Sequence, residues 1–402
     1  MPNDKAILVS ALEVAVGAFR KANPNPSLLG SHPDRAVLDP LSNAIARCAT
    51  YQAVAGLVVF CGGSGPVLDS RSLASHLFSK GGWPTHDVEG AVDWLLRLLS
   101  TREATVLVKA AIWGLSVDQS VSLGPSARLM PFASLPDSYM KGRLEERAKP
   151  CYDGSAWIAP TYYDMPDAAY VEEVAKFPFI RSDGAAFQKM NDVEEGLNDV
   201  AVILQGAALG QPIAVACWFE YLDHDLEYSE WESAFSWLLP EVHPRVHRGP
   251  VVEGGRLQAS ITAFEALAPK RRDILLRSME RFRLSQCRRQ PIDRVLDLAL
   301  AFEIAVSDDG GEQIPPSWKV SVRTAQLIGG RLSERQANRK SISDLYKLRN
   351  RATHGGQLKG KGVPDPDLVI PASGDVYLKL MTKLVAVRVE PDWKTIELDG
   401  SS

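Results

Sequence analysis

From Pro291 to Val306 the chain is apolar almost all the way round a helix, with Asp293, Arg294, Asp297 and Glu303 as the exceptions. A helix without a polar face must be enclosed by other helices, so this run predicts the centre of a bundle. The flanking sequence supplies the partners. Periodicity predicts helices over 269–283, 317–328, 333–353 and 375–387. Pro269 suits a first helical turn, Asp308-Asp309-Gly310-Gly311 ends the central helix, and Gly329-Gly330 stops the next one. Residues 256–392 are therefore expected to be all-α, with 393–402 as a flexible tail.

Upstream the pattern is mixed. Residues 6–20 and 88–99 have helical spacing, whereas 57–60, 104–112, 200–204 and 213–219 read as strands. Short alternating stretches between Gly114 and Phe132 predict strands joined by turns, and 130–167 reads as a long irregular loop. Trp231, Phe235 and Leu238 are spaced for a helix before Pro240. The breaker-rich run Pro240, Pro244, Gly249, Pro250, Gly254, Gly255 marks the expected boundary of an α+β region over 1–255.

Composition narrows the functional classes. No apolar run is long enough to span a bilayer, and the first 21 residues have no basic start or small-residue cleavage site. The five cysteines are odd in number and never form a C-x-x-C pair, which predicts a reducing cytoplasm and no structural zinc. Neither a metal nor another cofactor is expected. The net charge of −4 conceals an asymmetry: residues 270–361 carry +10 and the remainder −14. A basic module joined to an acidic one suggests a polyanionic partner for the former.

The chemistry-bearing segment lies inside the basic module. In Asp344-Leu345-Tyr346-Lys347-Leu348-Arg349-Asn350-Arg351-Ala352-Thr353-His354-Gly355-Gly356 the helix of 333–353 runs into a double-glycine stop. Ile342, Leu345, Tyr346 and Arg349 share one face, which places a permanent charge on the stripe expected to be buried. Glu303 is a candidate partner for Arg349. His354, in the last turn, faces the negative end of the helix dipole, which favours an imidazolium. An arginine beside a poised imidazole can break a phosphodiester.

Three blocks of this region resemble a HEPN domain of the ApeA-like branch: Asp293–Glu303 as its acidic-tipped central helix, Arg323–Gly330, and Ile342–Gly356 with Arg349-x4-His354. The resemblance spans about a third of the chain. It implies an all-α HEPN bundle and an endoribonuclease that needs no metal and works as a homodimer. Arg349 and His354 would be catalytic, assisted by Asn350, with Glu303 and Tyr346 in support. Lys347, Arg351, Arg339 and Lys340 would track RNA phosphates. It further implies a toxin-like or abortive-infection antiphage effector, with the N-terminal region sensing a protein trigger. The other class is a non-catalytic HEPN RNA-binding or scaffold protein. Gly356 stands where a sister group has a tyrosine, so nucleotide transfer to that position is not expected.

Three further signals favour plain structure. Cys61-Gly62-Gly63-Ser64-Gly65 lacks the Gly-Lys-Ser/Thr of a P-loop and reads as a turn. His243-x3-His247 has zinc spacing but an intervening proline and no third ligand, so a loop is expected. The acidic, aromatic run around Asp223-His224-Asp225 reads as solvated surface over buried rings.

Overall fold

Aspartate caps and first-turn prolines set where many of the helices begin. Asp34 and Asp87 each accept a hydrogen bond from the backbone N–H three residues on, and Pro269, Pro291 and Pro366 open later helices. The computed structural model describes residues 2–23, 33–59, 67–81, 86–148, 164–181, 185–208, 210–223, 226, 236–238, 250–307, 316–355, 358, 360 and 362–399.

In chain order the elements begin with α1 (Pro2–Ala22), α2 (Arg35–Arg47), α3 (Ala49–Gln52), β1 (Val58–Val59), α4 (Ser70–Gly81) and α5 (Val88–Ser100). Next come β2 (Glu103–Trp113), β3 (Val121–Ser122), β4 (Ala127–Pro131), α6 (Tyr139–Ala148), β5 (Ala168–Pro178) and β6 (Ile180–Arg181). They are followed by α7 (Ala185–Ala207), β7 (Ala214–Tyr221), β8 (Ser236–Leu238), α8 (Gly254–Glu265), α9 (Pro269–Cys287) and α10 (Pro291–Val306). The chain ends with α11 (Pro316–Ile328), α12 (Leu332–Gly355), α13 (Pro366–Val387) and α14 (Trp393–Asp399).

Six strands form a sheet in the order β3-β4-β5-β2-β7-β8, and β1 pairs antiparallel with β6. Hydrogen bonds run from Asp167 N–H to Ile112 and from Phe179 N–H to Arg102, so β5 is antiparallel to β2. Every residue of β7 is buried, as is every residue of β2 from Lys109 to Trp113. A strand covered on both faces reads as a continuous apolar run rather than an alternating one.

The chain forms two compact units. The first comprises 1–109, 172–193 and 218–236; the second comprises 110–171, 194–217 and 237–402. This partition does not follow the expected linear boundary at 255. The long strands β2, β5 and β7 each contribute residues to both units, so no single connector separates an N-terminal from a C-terminal body. The broader expectation stands as an α+β arrangement followed by helices alone among the described residues from 254 onward.

Within the second unit α10 is the central helix. Val295, Leu298, Ala301 and Phe302 are fully buried, and α9, α11, α12 and α13 all pack on it. Asp297 is held by Arg281 and Arg288, each at 3.2 Å. Gly329 and Gly330 take φ of 75° and 90° between α11 and α12, a conformation that stops one helix without side-chain strain.

Several local expectations change, among them the start of α13, which lies at Pro366 and not at 375. Residues 200–204 are helix, within α7, because Leu197, Ala201, Leu204 and Ala208 continue a buried helical stripe through the apolar run. Part of the expected loop at 130–167 is α6, tied down by buried Lys141, which donates to the Leu135 carbonyl and pairs with Asp137. Residues 236–238 are a strand rather than a helix end, with Trp231 and Phe235 outside the described residues. Finally, 393–399 is not a flexible tail but helix α14.

Trp393 and Ile396 of α14 are buried, and Glu397 receives a 2.5 Å hydrogen bond from Arg323 Nε. Arg323 is 2% exposed, donates also to the Val306 carbonyl, and lies 5.3 Å from the Trp393 ring. Burial removes most of the hydration of the guanidinium, and Glu397 supplies the carboxylate that balances its charge. Glu397→Gln is expected to cost about 1–3 kcal/mol, read as a lower urea midpoint with earlier exposure of Trp393 to quencher. An unchanged midpoint would mean that α14 does not anchor the bundle.

Candidate functional site

Helix α12 carries the Arg349-x4-His354 segment. Its inner face is built from Asn338, Ile342, Leu345 and Ala352, all buried, at the spacing that keeps one stripe on the bundle. Arg349 falls on this stripe, about three turns along from Asn338. Its side chain is 35% exposed, so the charge sits at the margin of the core rather than inside it.

Glu303 of α10 faces Arg349 there. One oxygen, Oε1, accepts a 3.0 Å hydrogen bond from the Tyr346 hydroxyl and lies 3.7 Å from Arg349 Nη2. The first contact is a hydrogen bond and the second a looser ion pair. Tyr346 therefore holds the carboxylate, and the guanidinium keeps donors available for a phosphate. Burial, and then the neighbouring Glu303 charge, push the Tyr346 hydroxyl well above the ordinary tyrosine range.

That shift has a sign. A hydroxyl whose folded pKa lies above its unfolded value of about 10 stabilises fully below that pH, and the contribution fades as pH climbs past it. Tyr346→Phe is expected to cost about 1 kcal/mol at neutral pH and to flatten the loss of stability above about pH 10. Urea midpoints of both proteins across that range are the check. Parallel curves would show that this hydroxyl is not buried.

The outer face of α12 is a separate stripe. Lys340, Lys347, Asn350, Arg351 and His354 are exposed and recur at helical spacing, with exposed Arg339 beside them. His354 occupies the last turn. Five residues at about 100° each place it roughly 140° around the axis from Arg349, so a straight helix does not aim both at one atom. Asn350 and His354 are four apart and neighbours on the surface. Arg351 lies over Gly360, where an added Cβ would strike its guanidinium.

The stripe is less free than its composition implies. Lys340 and Lys347 both pair with Asp344, the latter at 2.7 Å. Burial would raise the Asp344 carboxyl, but the two ammonium groups outweigh it and hold it below the usual carboxylate range. Asp344 is the residue that sequence reasoning missed as a partner, although its i−4 and i+3 lysines were visible. The structure thus joins Glu303, Tyr346 and Arg349 in one cluster and places Asn350, Arg351, His354, Lys347 and Lys340 on another face of the same helix.

Gly356 lies outside the described residues, as do Cys61–Gly65, His243–His247 and His224-Asp225. Among the described residues no group of three or more His, Cys, Asp or Glu side chains could hold a metal ion. No described helix is long and apolar enough to cross a membrane. Comparison with family models, with curated proteins and with solved structures finds no match to this chain.

Proposed function

We propose that this chain is a HEPN-type endoribonuclease that cleaves RNA by attack of the ribose 2′-hydroxyl. The observation that carries this reading is the cluster on α12 and α10: an arginine steadied by Glu303, itself fixed by Tyr346, on the helix whose last turn exposes His354. In the reaction the 2′-oxygen bonds to phosphorus, its proton passes to an imidazole, and the bond to the 5′-oxygen breaks as that oxygen gains a proton. His354 exchanges these protons, and Arg349 donates to the charge that grows on the non-bridging oxygens. The products are a 2′,3′-cyclic phosphate and a 5′-hydroxyl. The route uses no metal.

The angular separation of Arg349 and His354 favours a homodimer, with one copy's His354 and the other's Arg349 meeting across a shared cleft. Lys347, Arg351, Arg339 and Lys340 would guide the RNA backbone, and Asn350 would orient His354. The setting proposed is cytoplasmic, as a toxin-like antiphage effector restrained by its N-terminal region until a protein trigger acts.

One observation favours the non-catalytic alternative. Glu303 already balances the Arg349 charge, which is what a purely structural anchor requires. Incubating the purified chain with labelled RNA in excess EDTA separates the two. Cyclic-phosphate ends are expected from the enzyme. Tight binding with intact RNA across varied substrates would leave the scaffold.

A further inference from the structure

The second unit contains a half-open crevice of about 480 Å³ between α7, α8, α9 and α13. That size falls in the range of small-molecule sites, about 300–1,000 Å³. Its floor is Met279, Phe282, Tyr377 and Met381, all buried. Gly206, Ala207, Ala259, Ala263 and Ala386 form the walls, and the shortness of these side chains leaves the space open.

The lining selects against a polar or a flat ligand. Ser260 and Thr382 reach the crevice, but their hydroxyls donate to the Arg256 and Leu378 carbonyls of their own helices. Phe282 and Tyr377 stack on each other at 4.5 Å, and Phe302 closes edge-on against Tyr377 at 5.4 Å. Their ring faces are engaged in this stack, which argues against a base-stacking platform. The two methionines are unbranched and adapt to an irregular aliphatic chain.

The rim is charged. Arg256, exposed in the first turn of α8, lines the opening, and no described carboxylate pairs with it. Glu253, three residues earlier, forms no ion pair with it and makes no capping hydrogen bond. The first-turn amides of α8 add positive potential at the same end. An aliphatic slot with a cation at its mouth matches a molecule with an acyl chain and an anionic head.

We infer that this crevice binds a fatty carboxylate, its chain lying over Met279, Phe282 and Met381 and its head against Arg256. The site is independent of Arg349 and His354, so it stands whether or not the chain cuts RNA. The test is displacement of fluorescent cis-parinarate from the full chain by laurate, dodecanol and dodecyltrimethylammonium, each below its micellar concentration. Laurate is expected to compete best, and each methylene from octanoate upward to tighten binding by up to about fourfold while it is fully buried. Arg256→Glu should weaken laurate by about fivefold to tenfold and leave dodecanol unchanged. Ala259→Trp and, from the opposite wall, Ala386→Phe should each abolish binding, with circular dichroism confirming that the variants fold. Equal competition by the cationic amphiphile, or unchanged binding in both folded wall variants, would overturn the assignment. So would the absence of saturable parinarate binding to the wild type.

Discussion

His354→Ala is expected to lower RNA cleavage by at least about 10²–10⁴-fold while leaving RNA affinity within a few-fold of wild type. The argument rests on where the side chain lies. His354 is exposed on the last turn of α12 and is not part of the buried stripe of Ile342, Leu345 and Ala352, so its removal leaves that stripe intact. A loss of activity therefore cannot be a loss of fold. The role proposed for Arg351 gives a different outcome: if it tracks phosphates, Arg351→Ala should weaken binding across RNA sequences and reduce its salt dependence by about one charge.

Glu303 separates the enzymatic from the anchoring role of Arg349. If Arg349 serves only the bundle, Glu303→Gln and Arg349→Ala destabilise alike and no RNA phenotype follows. If Arg349 meets the phosphate, Glu303→Gln preserves the Tyr346 contact but frees the arginine, changing cleavage more than stability. Mixing Arg349→Ala with His354→Ala protomers tests the shared cleft, since a mixed dimer can rebuild one complete site. Absence of any activity in the mixture, with both single variants dimeric and folded, would sink the two-copy arrangement. Cyclic-phosphate ends from purified His354→Ala at the wild-type rate would sink the assignment altogether.

Legibility in the sequence tracked how local each cause was. Helix α10 runs between the residues expected of it, since Pro291 starts it and its apolar surface is continuous. Helix α12 likewise departs from its expected limits by one residue at its start and two at its end. By contrast α8, which opens with Gly254-Gly255, resembled the connector before it, because two glycines at a helix start look the same as two glycines in a loop. Helix α14 was lost to its polar composition; what orders it is Arg323, distant in sequence. Within the strand order β3-β4-β5-β2-β7-β8 only the β3–β4 hairpin is local, and its turn was visible between Gly114 and Phe132; the pairings of β2, β5 and β7 are non-local and left no mark in any window of sequence. At the candidate site, an acid in an apolar helix pointed to the Glu303–Arg349 contact; the lysines at i−4 and i+3 likewise marked Asp344 as a partner, but helical spacing alone does not say that it holds both at once.

Lys109→Met is expected to destabilise the first unit by about 3–5 kcal/mol. Lys109 lies on β2 and Glu220 on the neighbouring strand β7, with side chains 5% and 8% exposed, and the two form an ion pair. Trp218, two residues before Glu220 and so on the same face, donates its indole N–H to Glu220 Oε1 at 2.5 Å. Three polar groups thus satisfy one another in a nearly buried position. Methionine matches the lysine stem in volume, so the penalty comes from the carboxylate left with one neutral donor, not from a cavity. The double variant Lys109→Met/Glu220→Leu should recover most of the loss, because removing both charges also removes their desolvation cost. A chain of two compact units need not have a single unfolding free energy, so amide exchange of β2 and β7 is the proper readout. Exchange should accelerate in both strands in Lys109→Met and slow again in the double variant. Unaltered exchange in Lys109→Met would mean that water reaches the pair.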